Sequence, residues 1–312
     1  MRPFLALATL LALLLAPAAA GAQSANPFAA TVVVPDLKDD ELALWIAKSN
    51  VAVKLLNDTL RAKESYGRYA SWVDLKKGPT GRERIIYGLY SVSPTSVKDA
   101  GARTRKAAGE APAVPALDQA MLELAAAFES AAPVINEAEG YYERKDYKAD
   151  GMAGGKALHE RLIPAFKALL DARERLDGEH RALKASLDGQ ELARLERTEG
   201  KSMRWHTRRV MILAEKAVDA VPRDPRKADI PAYDRAVEAY AVAVREFDAA
   251  VLAGGKSSAF DTMPKSLLGN LRELKDKIRG RDAQGPFYSI HVNQVINQYN
   301  TMTTFSSSFF RG

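Results

Sequence analysis

Cysteine is missing from all 312 residues. Its absence excludes a disulfide framework, a thiolate nucleophile and a lipid anchor built on an N-terminal cysteine. Strict polar–apolar alternation of the kind that makes half-buried strands is nearly absent too. After the first twenty or so residues no apolar run is long enough for a transmembrane helix, which needs about 20 residues. Histidine occurs only four times, and none stands in a His-Glu-x-x-His arrangement. There is no Gly-x-Ser-x-Gly for a serine nucleophile and no Gly-x-x-x-x-Gly-Lys for a phosphate. No repeat of 20 to 50 residues is visible.

What the chain does carry begins at its N-terminus. Arg2 is followed by an apolar run from Phe4 to Leu15, then Pro17 and the small-residue sequence Ala20-Gly21-Ala22. This is the form of a secretory signal peptide, with cleavage expected after Ala22. The expected organisation is a signal peptide over 1–22, an extended leader over 23–35 and one all-helical domain over 36–312. The expected location is periplasmic or secreted. The net charge is +6, diluted among many acidic residues. It would favour weak attraction to an anionic envelope surface, although mixed solvated helix faces account for it as well. A secreted chain is not expected to meet nucleic acid.

Helical spacing dominates the rest. Leu42, Ile46, Val53, Leu56 and Leu60 form a first stripe, with the helix reaching towards Trp72. Ser93-Pro94 starts a short basic helix. Leu117, Met121, Leu124, Phe128 and Val134 mark a strong one, with Pro133 inside it. Leu162, Phe166, Leu169, Leu176, His180, Leu183 and Leu187 sustain another. Asp188-Gly189-Gln190-Glu191 has the form of a capping box, so this helix either restarts there or runs on with a bend. Further stripes cover Leu192 to Val221, Tyr233 to Leu252, Pro264 to Ile278, and about Tyr288 to Phe309. The fold class expected is all-α, an elongated bundle of about six helices, some long and bent. Asn50 and Asn57 on the first helix, and Asn293, Asn297 and Asn300 on the last, run beside apolar stripes. Buried amides need partners, so these two helices are expected to pack together and share their asparagines.

The segment Gly140 to Glu160 mixes more chemistry than any other: three tyrosines, four carboxylates, a glycine cluster and a histidine. If it is helical, Tyr142, Asp146 and Asp150 share a face at four-residue spacing, and His159 and Glu160 follow a glycine-rich turn. Carboxylates and an imidazole together could hold a divalent ion or do acid–base work. The plainer reading is a corner between two long helices, in which tyrosine hydroxyls bond carboxylates. Gly154-Gly155-Lys156 could offer free amides to an anion, or serve as a helix-entry turn.

This central motif, Tyr142 to Met152 followed by Gly155-Lys156-Ala157-Leu158-His159, occurs with an asparagine-bearing first helix and a Tyr299-Asn300 last helix. In these features the chain resembles the YiiG-like family, a domain-of-unknown-function family of bacterial envelope proteins that includes lipoproteins. The resemblance covers most of the chain beyond the signal peptide. It implies an all-helical envelope protein with no established activity. The lipobox cysteine of the lipoprotein members is absent, so their anchoring is not carried over. The Gly-x-His-x-x-Glu motif of the imelysin-like proteins is absent as well: Leu162 stands three residues after His159, and Leu183 after His180.

The leading expectation is a non-enzymatic binding or scaffolding protein. Its ligand or partner would sit at Tyr141, Tyr142, Asp146, Tyr147, Asp150 and His159, with no metal and no cofactor. An envelope protein or an anionic envelope surface would be the partner. The alternative is a metal-dependent or acid–base enzyme using Asp146, Asp150, His159 and Glu160. Arg204, Arg208 and Arg209, beside Trp205, form the best basic patch. Phe305, Phe309 and Phe310 are either a partner surface or the close of the bundle.

Overall fold

The computed structural model describes residues 34–222, 224–254, 258–279 and 286–306. The expected signal peptide with its cleavage site, most of the leader, and Phe309 and Phe310 lie outside the described residues. Among the described residues there is no strand. The helices are α1 (Asp39–Asp58), α2 (Leu60–Ala70), α3 (Pro94–Gly109), α4 (Pro115–Glu143), the single turn α5 (Tyr147–Asp150), α6 (Ala153–Glu199), α7 (Met203–Asp219), α8 (Ile230–Gly254), α9 (Met263–Arg279) and α10 (Pro286–Ser306). The all-α class is therefore as the periodicity predicts. The count exceeds six partly because the first expected helix is split at Thr59. The Thr59 hydroxyl donates back to the carbonyls of Leu55 and Leu56, and Arg173 from α6 also reaches the Leu56 carbonyl. The Leu55 carbonyl still accepts the Thr59 amide at 3.2 Å, whereas the Leu56 carbonyl is engaged by these two side chains where the helix breaks.

Apolar side chains gather into two clusters. The first is built from α1 to α6 and includes Leu55, Tyr69, Leu124, Phe128, Leu162, Phe166 and Leu183. The second is built from α7 to α10 and includes Val210, Tyr233, Tyr240, Phe247, Leu271 and Met302. In the first cluster α4 and α6 run antiparallel, as the ion pairs Glu137–Arg161 and Glu123–Arg175 require. The same holds for α1 and α6: Asp39 pairs with Arg197, while Ser49 meets His180 at 3.1 Å. Lys48, buried on α1, pairs with Asp118 of α4 at 2.8 Å. The Asp118 carboxylate also accepts the Val114 amide at 2.8 Å, which closes the N-terminus of α4.

The helix α6 is unbroken for 47 residues and passes through Pro164 and the Asp188–Glu191 segment without stopping. Its capping-box pattern is therefore not used as a cap. Gln190 instead clasps the leader, accepting from the Leu37 amide and donating to the Pro35 carbonyl, each at 2.9 Å. Asp188 lies in a polar seam where α7 returns along α6. It pairs with Lys184 at 2.7 Å and Arg208 at 2.6 Å, while Lys184 reaches Glu215 and Arg208 reaches Glu191. Burial alone would lower the Lys184 pKa, but Asp188 and Glu215 outweigh it and hold the ammonium above its usual range.

The expected pairing of the first and last helices is overturned. α1 packs against α3, α4 and α6, whereas α10 packs against α7 and α9. Asn50, Asn57, Asn293, Asn297 and Asn300 are all exposed. Their water-facing amides have no need of each other, so the motive for pairing is absent.

Candidate functional site: the corner between α4 and α6

Helix α4 carries Tyr141 and Tyr142 in its last turn, both buried. The chain reverses through Arg144–Asp146, with Lys145 at φ 60, makes the single turn of α5, and passes Gly151 and Met152 at φ 61 and 76. The face predicted for a continuous helix through Tyr142, Asp146 and Asp150 does not exist, because the helix ends at Glu143.

What replaces it is an intramolecular cap. Met152, the residue before α6, supplies no side-chain cap. Asp150 does so from two residues earlier. Its carboxylate accepts the Met152 and Gly154 amides, each at 2.9 Å, and the Tyr141 hydroxyl at 2.8 Å. The Gly154 amide above all, with Tyr141 and Met152 adding to it, holds the Asp150 carboxyl below its usual range. Burial together with the neighbouring carboxylate pushes the Tyr141 phenol up to about 12. The free amides at the start of α6 that could have received an outside anion are thus met by the chain's own carboxylate.

The glycines serve close packing within the helix rather than breaking it. A Cβ at Gly155 would come within 2.5 Å of the Met152 sulfur and 3.0 Å of the Tyr142 hydroxyl. At Gly154 it would meet the Tyr141 ring at 2.8 Å. That hydroxyl of Tyr142 is buried and makes no hydrogen bond of normal geometry. It lies near enough to Tyr69 to affect its ionisation, and burial raises the pKa of both phenols, that of Tyr69 to about 12.

His159 faces into the molecule from the second turn of α6. The Tyr69 hydroxyl lies 3.0 Å from its Nδ1. Burial lowers its pKa, outweighing the backbone of Leu75, which favours the charged imidazolium. Gly78 lies directly on the ring. A Cβ there would stand 3.0 Å from Cδ2, and the backbone is at φ +75. The loop between α2 and α3 thus covers the imidazole. Around it the rings of Tyr69, Trp72, Tyr141, Tyr142, Tyr147 and Phe166 pack edge-on or tilted, with centroids 5.0 to 6.5 Å apart.

Asp146 remains outside this frame, ion-paired with Arg144 at 2.7 Å on the surface. Tyr147 is half-buried and Glu160 is exposed. A groove of about 380 Å³ runs along the outer side of the corner, lined by Glu137, Tyr141, Arg144, Asp146, Asp150, Gly154 and Arg161 among others. Among the described residues no three His, Asp or Glu side chains are grouped as a metal site would require. Sequence reasoning missed Tyr69, Trp72 and the covering loop. The signal was present as aromatics at Tyr66, Tyr69 and Trp72, three residues apart on one helical face. The basic patch is also changed by its neighbours: Arg204 pairs with Glu199, Arg208 with Asp188 and Glu191, and Arg209 with Glu246. Arg209 lies 5.4 Å from the centroid of the Trp205 ring.

Residues 44–303 match the family described as "Protein of unknown function (DUF3829)". The chain belongs to the DUF3829 family. A curated relative within reach of it is "Uncharacterized protein YiiG" of Escherichia coli (strain K12), 30% identical over 224 residues, which cover 68% of this chain and 63% of that protein. The chain thus spans less than two thirds of the length of that relative. No solved structure matches. For this DUF3829 member the expected YiiG-like resemblance holds, and no helix among the described residues is long and apolar enough to cross a membrane.

The histidines give one pH dependence. Burial lowers the pKa of His159, His180 and His206, helped at His180 by Lys184 and at His206 by Arg209 and Lys201. An unfolded histidine titrates near about 6.5. Below that pH the unfolded chain therefore binds more protons than the folded one, and stability falls as pH falls. The urea midpoint is expected to be flat above neutrality and to drop below about pH 6.5. His159→Gln and His180→Gln should each flatten the drop; a midpoint that rises on acidification over this range would contradict the assignment.

Proposed function

We propose that this chain is a periplasmic or secreted helical protein with a non-enzymatic binding or scaffolding role in the cell envelope, and that its partner is an envelope protein seated at the α4–α6 corner. The observation that supports a frame over a reaction centre is the commitment of its polar groups. Both oxygens of Asp150 accept from the chain, and Nδ1 of His159 has the Tyr69 hydroxyl as its partner, with Gly78 lying on the ring. A general acid or base needs a group free to exchange a proton with its substrate, whereas the Asp150 carboxylate caps α6 and Nδ1 of His159 is engaged by Tyr69. The part of the corner that faces outward is the groove, lined by Tyr141, Asp146 and Asp150, with the half-buried Tyr147 ring beside that of Tyr141. Tyr142 and His159 belong to the packed frame. The paired arginines of α7 make an anionic surface the weaker partner, since each positive charge is already answered.

The N-terminal apolar run with Ala20-Gly21-Ala22 supports export. The test uses protein recovered by periplasmic extraction. Its first residue is expected to be Gln23, and its melting point is expected to be the same with zinc, magnesium or a chelator. Asp150→Asn and His159→Gln should both lower the melting point by amounts that ignore the metal. Intact chain retained in the cytoplasm would overturn the location. A metal-dependent rise in melting point, lost in both variants, would overturn the frame and restore the enzyme alternative.

A further inference from the structure

The helix α10 has no Asp, Glu, Lys or Arg in its 21 residues. At the chain's 27% charged composition about six would be expected, from 0.27 × 21. Its neighbour α9 exposes Lys265, Arg272, Glu273 and Asp276, which is what a helix face in water ordinarily shows.

Two seams run along α10. The inner one, Tyr288, Val292, Val295, Tyr299, Met302 and Ser306, faces the second core. The outer one is Ile290, Asn293, Asn297, Asn300 and Thr304, all exposed. Its spacing of three, four, three and four is that of coiled-coil contact positions. Ile290 is 58% and Phe305, at the edge of this seam, 43% exposed. Thr301 and Thr304 donate their hydroxyls back to the carbonyls of Asn297 and Asn300, at 2.9 and 3.2 Å.

We propose that the outer seam of α10 is a self-association surface, which pairs with the same seam of a second copy of this chain in antiparallel register. Three properties select a second copy over other occupants. A two-fold interface brings each residue against its own surroundings, and a face without charge meets itself with no like-charge repulsion. An asparagine amide both donates and accepts, so an asparagine ladder is complementary to itself, which a carboxylate or ammonium ladder is not. Depletion of charge marks the centre of protein interfaces, and an asparagine at a coiled-coil contact position fixes register. The axis falls at Asn297, seven residues from Ile290 and seven from Thr304.

Sedimentation of the full chain across a concentration series should show a monomer–dimer equilibrium. Asn297→Arg places like charges across the axis and is expected to weaken the dimer at least tenfold while leaving the circular-dichroism melt unchanged, because the position is exposed. The lack of native cysteine gives a second readout independent of affinity. Asn297→Cys should form a disulfide-linked dimer on mild oxidation, since residues near the axis can bring their Cα atoms within the roughly 4.4–6.8 Å that a disulfide needs. Glu238→Cys, exposed on α8, should not. A monomer at every concentration, or a dimer indifferent to Asn297→Arg with no more crosslinking at 297 than at 238, would overturn the proposal.

Discussion

Phe166→Ala is expected to cost about 3–5 kcal/mol of folding stability, as for other fully buried phenylalanines. Phe166 is 0% exposed. Its ring lies 5.3 Å from that of Tyr66 and 6.5 Å from that of Tyr69, so it supports the side of α2 from which Tyr69 reaches His159. The loss should therefore exceed that of a buried side chain with no role at the corner in one respect: the near-UV circular dichroism of the tyrosine cluster should weaken even below the melting point. Phe166→Leu keeps most of the volume and is expected to cost under about 1.5 kcal/mol. Equal costs for the two variants, read from urea midpoints, would show that the site collapses freely and that Phe166 does not hold α2 in place.

Asp188→Ala is expected to cost about 3 kcal/mol, the low end for breaking a buried ion pair. Its side chain is 8% exposed and answers two cations, Lys184 and Arg208. Those cations retain Glu215 and Glu191, which keeps the cost from rising further. At about 2–4 °C per kcal/mol for a chain of this size, the melting point should fall by roughly 6–12 °C. Arg197→Ala breaks an exposed pair with Asp39 and should change stability by less than about 1 kcal/mol. If the two variants behave alike, the seam between α6 and α7 is solvated in solution and its charges do not join the helices.

The helices were legible because their apolar residues recur at three and four, and most boundaries follow from residues such as Ser93, which caps α3 by accepting the Ser96 amide. Partner choice was not legible. An exposed asparagine ladder and a buried one have the same spacing, so nothing local distinguished α10 facing α1 from α10 facing water. The Asp188–Glu191 pattern misled for a related reason: a cap signature inside a helix whose neighbours supply stronger partners is never used as a cap. At the corner the cluster itself was visible, since Tyr141, Asp150 and His159 stand close in sequence. The role of His159 was not, because the groups that engage it come from 81 to 90 residues away: Tyr69 at the end of α2, and Leu75 and Gly78 in the loop that follows. That distance hides the difference between a histidine open to a ligand and one already covered.

The unbroken course of α6 sets a rule for how its length can change. Each residue added to an α-helix turns everything beyond it by about 100° and advances it by about 1.5 Å. Between Leu169 and Leu176 one face of α6 serves the first core; further on, His180 must meet Ser49 and Lys184 must meet Glu215. One residue gained or lost in that interval would put all of these out of phase together, while four would nearly restore the angle at the wrong height. The 23-residue connection between α2 and α3 has no such phase to keep except where it lies on His159. Length variation among chains of this build therefore belongs in the connections, and the middle of the long helix is closed to it.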